Sequence, residues 1–215
     1  MTRLSRRSVL SAALALPFLG AVGEARAEDV KSALDDLAKA RSKLKSLVAP
    51  FVQTREIGLL ASEVKSKGEL SLLRPDRLRW ELFPPDATTY WITPSGVYFR
   101  GGSSGKATKA PAGAGAMSLV LGDIMTFMGG DLSTLSSRYD LSVPSREGGI
   151  TLVAVPKSAE LKKVLARLEL KTTPDLWAMS RVTMDEASGD KSVIDFGKSE
   201  RDGNVDPKKM EPPTT

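Results

Sequence analysis

The sequence predicts an α+β domain in which a curved antiparallel sheet is capped on one face by helices. Three observations predict it. One early stretch has helical spacing, most of the chain beyond it alternates with period two, and turn residues separate strand candidates about 8–12 residues apart. With 41% hydrophobic and 27% charged residues over 215 positions, the composition is that of one soluble globular domain, not of a disordered or fibrous chain.

Residues 1–27 read as an address. A basic start, an apolar run from Val9 to Val22 and Ala25-Arg26-Ala27 have the layout of a secretory signal peptide cleaved after Ala27. The apolar run is shorter than the roughly 20 residues that span a bilayer. Ser5-Arg6-Arg7-Ser8-Val9-Leu10 resembles a twin-arginine export motif. The expected destination is the periplasm, with residues 28–215 as a single domain. The address also holds four arginines against one glutamate, so most of the formal charge of +5 belongs to it. The remainder carries 27 basic and 25 acidic residues, a balance that points away from nucleic acid.

The first element is an amphipathic helix expected from Asp29 to Val48, with Asp29 as N-cap, Pro50 just past the end, and Val30, Leu34, Leu37, Ala38, Leu44 and Leu47 on its apolar side. Strand alternation continues through Leu70, Leu72 and Arg74, then Leu78, Trp80 and Leu82. Tyr90–Thr93 and Val97–Phe99 flank Pro94-Ser95-Gly96, a hairpin signal. Residues 101–116 are Gly, Ala, Ser and Pro with two lysines, which predicts a mobile loop. Met117–Asp131 is nearly all apolar, with Met117, Leu121, Ile124, Met125 and Met128 at helical spacing, and Asp131 begins another turn through Leu135. Such a segment fits two roles: a core helix that packs once, or a movable cover whose unbranched methionines re-pack cheaply around varied apolar ligands. Further strands are expected at Tyr139–Val143, Ile150–Val155, Val164–Thr172, Leu176–Asp185 and Ser192–Phe196, separated by Glu147-Gly148-Gly149, Thr173-Pro174-Asp175 and Ser188-Gly189-Asp190.

Cysteine and histidine are both absent. This removes disulfides, lipid-modified cysteine, Cys-type zinc sites, Cys nucleophiles and Ser-His-Asp triads. The carboxylates are scattered, and Gly101-Gly102-Ser103 lacks the ending of a phosphate loop. No enzyme activity, metal or cofactor is expected. The unusual feature is apolar bulk: Trp80, Tyr90, Trp91, Tyr98 and Phe99, with Leu78 and Ile92, are expected to line one face of the sheet opposite the Met-rich helix. That face is either ordinary core or the wall of a cavity for hydrocarbon.

One stretch carries a resemblance. Gly68-Glu69-Leu70-Ser71-Leu72-Leu73-Arg74-Pro75-Asp76-Arg77-Leu78-Arg79-Trp80 resembles the G-x-L-x-x-x-R-P-x-x-[LF]-x-W segment of the periplasmic outer-membrane lipoprotein carriers, LolA-like proteins, and Phe51-Val52-Gln53 resembles that family's F-x-Q strand. The order of elements agrees over nearly the whole chain after residue 27. The resemblance implies an unclosed antiparallel β half-barrel with helices capping the concave hydrophobic face, and a monomer that takes lipoprotein acyl chains from an inner-membrane ABC exporter to an outer-membrane receptor. It also implies that Leu78 and Trp80 face a lipid-binding cavity, to which the sheet face read above adds Leu70, Leu72, Tyr90, Ile92 and Phe99, that the helices over about 117–136 are its lid, and that Arg74 is the arginine that locks the lid shut. The alternative on the same fold is a carrier or sensor of another amphiphile, such as a glycolipid, a pigment or another lipid. Asn204-Val205-Asp206 is followed by Lys208-Lys209-Met210 where the family carries an aromatic strand.

Overall fold

A computed structural model describes residues 21–58, 62–102, 105–111, 115–129 and 132–213, and the side chains within them except those of 21–27 and 115–117. Helix α1 (Ala21–Arg41) precedes a meander of β1 (Ser46–Ile57), β2 (Ser62–Leu73), β3 (Arg77–Leu82), β4 (Thr88–Thr93), β5 (Gly96–Gly101) and the short β6 (Thr108–Lys109). Helices α2 (Gly115–Gly129) and α3 (Ser133–Arg138) come next. A second run contains β7 (Tyr139–Ser145), β8 (Thr151–Pro156), the single turn α4 (Ala159–Lys162), β9 (Leu165–Thr172), β10 (Met179–Glu186) and β11 (Lys191–Phe196). The short β12 (Glu200–Arg201) and a 3₁₀ turn at Pro207–Met210 finish it.

All pairings are antiparallel, in the order β6-β5-β4-β3-β2-β1-β11-β10-β9-β8-β7, with β12 beside β1. The two runs are thus stitched at β1–β11, while β6 and β7 remain edges. The sheet is an unclosed half-barrel, and α1, α2 and α3 lie on its concave side.

Period-two alternation sets that side. Across the first run, Leu47, Leu72, Leu78, Ile92 and Val97 stand opposite one another in one row, and Ala49, Leu70, Trp80, Tyr90 and Phe99 in the next. Across the second, Gln53, Ile194, Val182, Leu170 and Leu152 continue the surface. The same register corrects the expected aromatic face. Trp91 and Tyr98 pair with each other on the opposite, convex side, where Trp91 Nε1 donates to Lys209 O at 3.0 Å and Met210 is fully buried. The C-terminal turn takes the place of the expected aromatic strand by covering Trp91.

The first helix is also corrected. It ends at Arg41, and Leu44 and Leu47 belong to the turn and to β1. Both leucines satisfy helical spacing from Leu37, but Leu47, Ala49 and Phe51 alternate inward along β1 and are buried there, at most 3% exposed. Pro50 therefore lies within a central strand, normally a poor place for it. Its carbonyl accepts from Gly197 N at 2.8 Å, on the side where β11 has ended and β12 has not begun, so the missing N–H falls in a gap of the ladder. Asp29 is inside α1, which starts by Ala21 and passes the expected cleavage point; the basic start and most of the apolar run of the expected signal peptide lie outside the described residues.

Within the expected loop 101–116, β6 pairs with β5 and α2 has begun by Gly115; residues 103–104 and 112–114 lie outside the described residues. The strand expected from Leu176 starts at Met179, because Leu176 adopts a left-handed φ of 66° in a turn closed by Thr173 N and Ala178 O at 3.0 Å.

Candidate functional site

Helix α2 is greasy nearly all round. Val120, Leu121, Ile124, Met125, Phe127 and Met128 are buried against the concave face, as a helix that is apolar over most of its surface must be. Of the sequence-predicted lid residues, Leu121, Ile124, Met125 and Met128 are in that cover, and the Met117 side chain lies outside the described residues. Of the expected cavity residues, Leu70, Leu72, Leu78 and Trp80 are at most 1% exposed and Ile92 is 7% exposed, so they form packed core beneath the helix. Tyr90 is half-buried, and Phe99, at 36%, is on the exposed rim. Trp80 stacks on Phe51 with ring centroids 3.9 Å apart, and Phe196 meets both rings edge-on.

Open space lies beside this core. A groove of about 840 Å³ runs between α1, the C-terminal end of α2, α3 and the start of β7. Its apolar wall is Val30, Leu34 and Ala38 from α1, Phe127 and Met128 from α2, and Leu141 from β7. Sites that enclose a small molecule commonly measure about 300–1,000 Å³. Of the expected cavity and lid residues whose side chains are described, only Met128 reaches it, together with Arg74. Sequence reasoning places the apolar residues of α1 on a helix but not on a ligand site, because nothing local distinguishes a groove wall from core.

Two arginines close the inner end. The last residues of a helix leave carbonyls without intrahelical partners, and cations are favoured there. Arg74, at the end of β2, donates from Nη2 to Gly129 O at 3.2 Å and from Nη1 to Arg41 O and to Leu44 O, the latter at 3.4 Å. Arg41, the final residue of α1, donates from Nη1 to Phe127 O and from Nε to Leu176 O at 2.9 Å, with its guanidinium 4.4 Å above the Phe127 ring. The C-terminal end of α2 is therefore held by one arginine from the sheet and one from α1. Gly129 makes the close approach possible, since a Cβ there would lie 2.9 Å from Met125 Cε and 3.3 Å from Pro75 O. Arg41 is only 3% exposed, and burial, helped by the neighbouring Arg74, pushes its guanidinium down to about 9. Arg41 escapes a sequence reading because a basic residue closing a helix is ordinarily solvated.

A carboxylate on α2 supplies the other tie. Asp123 is fully buried in α2 and accepts from Tyr139 Oη and from Arg138 Nη1. Burial raises the Asp123 carboxyl above the usual carboxylate range, with the Tyr139 hydrogen bond and Arg138 pulling against it. Tyr139→Phe leaves this carboxylate with one partner and is expected to destabilise the protein by about 2 kcal/mol at neutral pH. The group binds its proton more tightly folded than unfolded, so its cost is felt as pH rises through the folded value and disappears below the unfolded one. Urea melts of both proteins should accordingly show a smaller difference at about pH 4 than at pH 7; an equal difference at both would separate Tyr139 from the charge of Asp123.

Comparison with known proteins agrees with the architecture. No curated protein matches the chain. A DUF1329 family protein from Desulfovibrio piger is similar in structure at 12% identity and a TM-score of 0.51, over 85% of this chain and 97% of the other. A LolA superfamily protein from Nitrosomonas europaea is similar at 9% identity and a TM-score of 0.49, over 84% and 96%. The family model described as "Outer membrane lipoprotein carrier protein LolA" matches residues 42–212. From β1 to the C-terminal turn, then, the half-barrel and its covering helices match that model, and the chain belongs to the LolA family of outer membrane lipoprotein carrier proteins.

Proposed function

We propose that this protein is a periplasmic carrier that shelters the acyl chains of lipoproteins beside its lid helix and shuttles them from the inner to the outer membrane. The family is one of lipid- and lipoprotein-binding carriers rather than enzymes. The observation that carries the reading is the apolar groove of about 840 Å³ whose inner wall is the end of the lid itself. Each methylene removed from water is worth about 0.8 kcal/mol, so an acylated protein needs such shelter to cross an aqueous gap. The groove widens into the concave face when α2 lifts, and Leu70, Leu72, Leu78, Trp80 and Ile92 then meet hydrocarbon instead of Leu121 and Ile124. Arg74 acts as the lock, since its donation to Gly129 O exists only while the lid is down. An inner-membrane ABC exporter loads the carrier and an outer-membrane receptor unloads it, residues 1–27 being the export signal.

Purified protein incubated with bacterial spheroplasts should release acylated lipoproteins into the soluble fraction as a complex. Leu34→Glu, which puts a carboxylate on the half-buried groove wall, should lower the released amount at least about tenfold, because an unpaired charge in an apolar site costs several kcal/mol. Lipoproteins left in the membrane by the unaltered protein would overturn the carrier reading; equal release by the variant would move the site away from the groove. Leu78→Glu is a poor probe, since Leu78 is fully buried in packed core.

A further inference from the structure

The inner end of the groove is positively charged and has no acid to answer it. Among the described residues neither Arg41 nor Arg74 makes an ion pair with a carboxylate; both spend their donors on backbone carbonyls. At the mouth, the carboxylates that line the groove are already engaged: Asp35 with Lys31 at 3.2 Å and Asp140 with Lys157 at 3.7 Å. One donor is left over. Arg41 lines the groove, and its Nη2 is buried with no hydrogen-bond partner, the only guanidinium nitrogen so placed among the described residues. A buried donor without an acceptor is costly, and a buried cation without a counter-charge more so. The cost rises when the lid lifts, because Arg41 then loses Phe127 O and Arg74 loses Gly129 O. An occupant that brings its own acceptor removes it.

We propose that the groove selects an amphiphile whose polar end is anionic, a carboxylate or phosphate attached to a hydrocarbon tail, with the anion taken by Arg41 and the tail laid along Val30, Leu34, Ala38 and Leu141. This rests on the reading of the groove as a shelter for acyl chains, not on lipoprotein as the molecule that bears them, and gives that site a charge preference. The planar guanidinium of Arg41 offers adjacent donors to two oxygens of such a group, which a single-point ammonium would not. The Phe127 carbonyl and a ligand oxygen are alternatives for the same Arg41 donor, so loading exchanges one acceptor for another and does not strand that arginine.

The test is fluorescence binding of a long-chain polyene carboxylate and of its methyl ester to the full-length protein. The carboxylate is expected to bind at least about tenfold more tightly than the ester, a difference of about 1.4 kcal/mol. R41Q should bring that ratio close to unity, and R41K, which keeps the charge without the fork, should leave it intermediate. Thermal melting checks that each variant is folded; if R41Q is not, the ratio in the unaltered protein and in R41K decides. Acetate and inorganic phosphate in large excess should not displace the carboxylate probe. Equal binding of carboxylate and ester to the unaltered protein would overturn the charge preference while leaving the carrier reading standing. Displacement by acetate or phosphate alone would reduce the site to one for small anions and also overturn the proposal. Failure of both probes to bind would remove the carrier reading with it.

Discussion

Gly68→Val is expected to destabilise the domain by about 3 kcal/mol or more, one of the largest losses open to a single substitution outside the groove. Gly68 is the first residue of the Gly68–Trp80 motif, and its backbone does not require the left-handed region. What it provides is absence of a side chain. A Cβ at this position would lie 2.2 Å from Glu81 O on the neighbouring strand and 2.4 Å from Phe51 Cζ on the other side. Neither neighbour can yield cheaply. Glu81 O belongs to the β2–β3 ladder, and the Phe51 ring is fixed by its stacking on Trp80 and its edge contact with Phe196. Phe51 reaches Trp80 by lying across Gly68, so the glycine, the phenylalanine and the tryptophan of the two family motifs form one packing unit at the stitch between the halves of the sheet. Urea denaturation followed by tryptophan fluorescence should show the midpoint of Gly68→Val far below that of the parent, with Gly68→Ala between them. An unfolding free energy within about 0.5 kcal/mol of the parent would mean that the ring has another place to go.

That unit is legible in the sequence because alternation and motif spacing are local. Leu70, Leu72, Leu78 and Trp80 fall on one face from their spacing alone, and Gly148-Gly149 and Gly189 mark turns that require positive φ. The meander, the covering helix and their order come from such signals. The groove does not, because it is tertiary: its walls come from residues as far apart as Val30 and Lys157, and each wall residue has the spacing of an ordinary buried face. Trp91 and Tyr98 are expected on the wrong side for a related reason. Aromatic density ignores the parity of the strand, and only the pairing of Tyr90 with Phe99 and of Trp91 with Tyr98 separates the two faces. Arg41 shows a third limit. Its type and position suit a solvated helix end, and its burial is decided by α2 and by the Thr173–Ala178 turn, whose Leu176 carbonyl it holds.

Arg74→Leu is expected to keep acylated cargo and to release it poorly to an acceptor, with retention raised about tenfold or more. In the carrier proposed above, two sets of contacts compete, those of the empty closed protein and those of the loaded one. In the empty protein Arg74 joins three segments, through Arg41 O and Leu44 O on the α1–β1 side and Gly129 O at the end of α2. Hydrogen bonds from a charged donor contribute about 1.5–3 kcal/mol each, and the one to Gly129 O is made only with the lid down. Leucine removes that contribution from the empty, closed state and adds apolar surface beside the groove. Cargo contacts in the loaded state are untouched or improved. The equilibrium therefore moves toward the loaded form by at least the worth of one such bond, about 1.4 kcal/mol per factor of ten. Loading from spheroplasts should be normal or enhanced, whereas transfer from the purified complex to outer membranes should fall by the same factor. Arg74→Lys, which keeps a charge but reaches fewer carbonyls, should lie between the two. Normal transfer by Arg74→Leu would show that the lid is held down by Asp123 with Tyr139 and Arg138, and by Arg41, without help from Arg74.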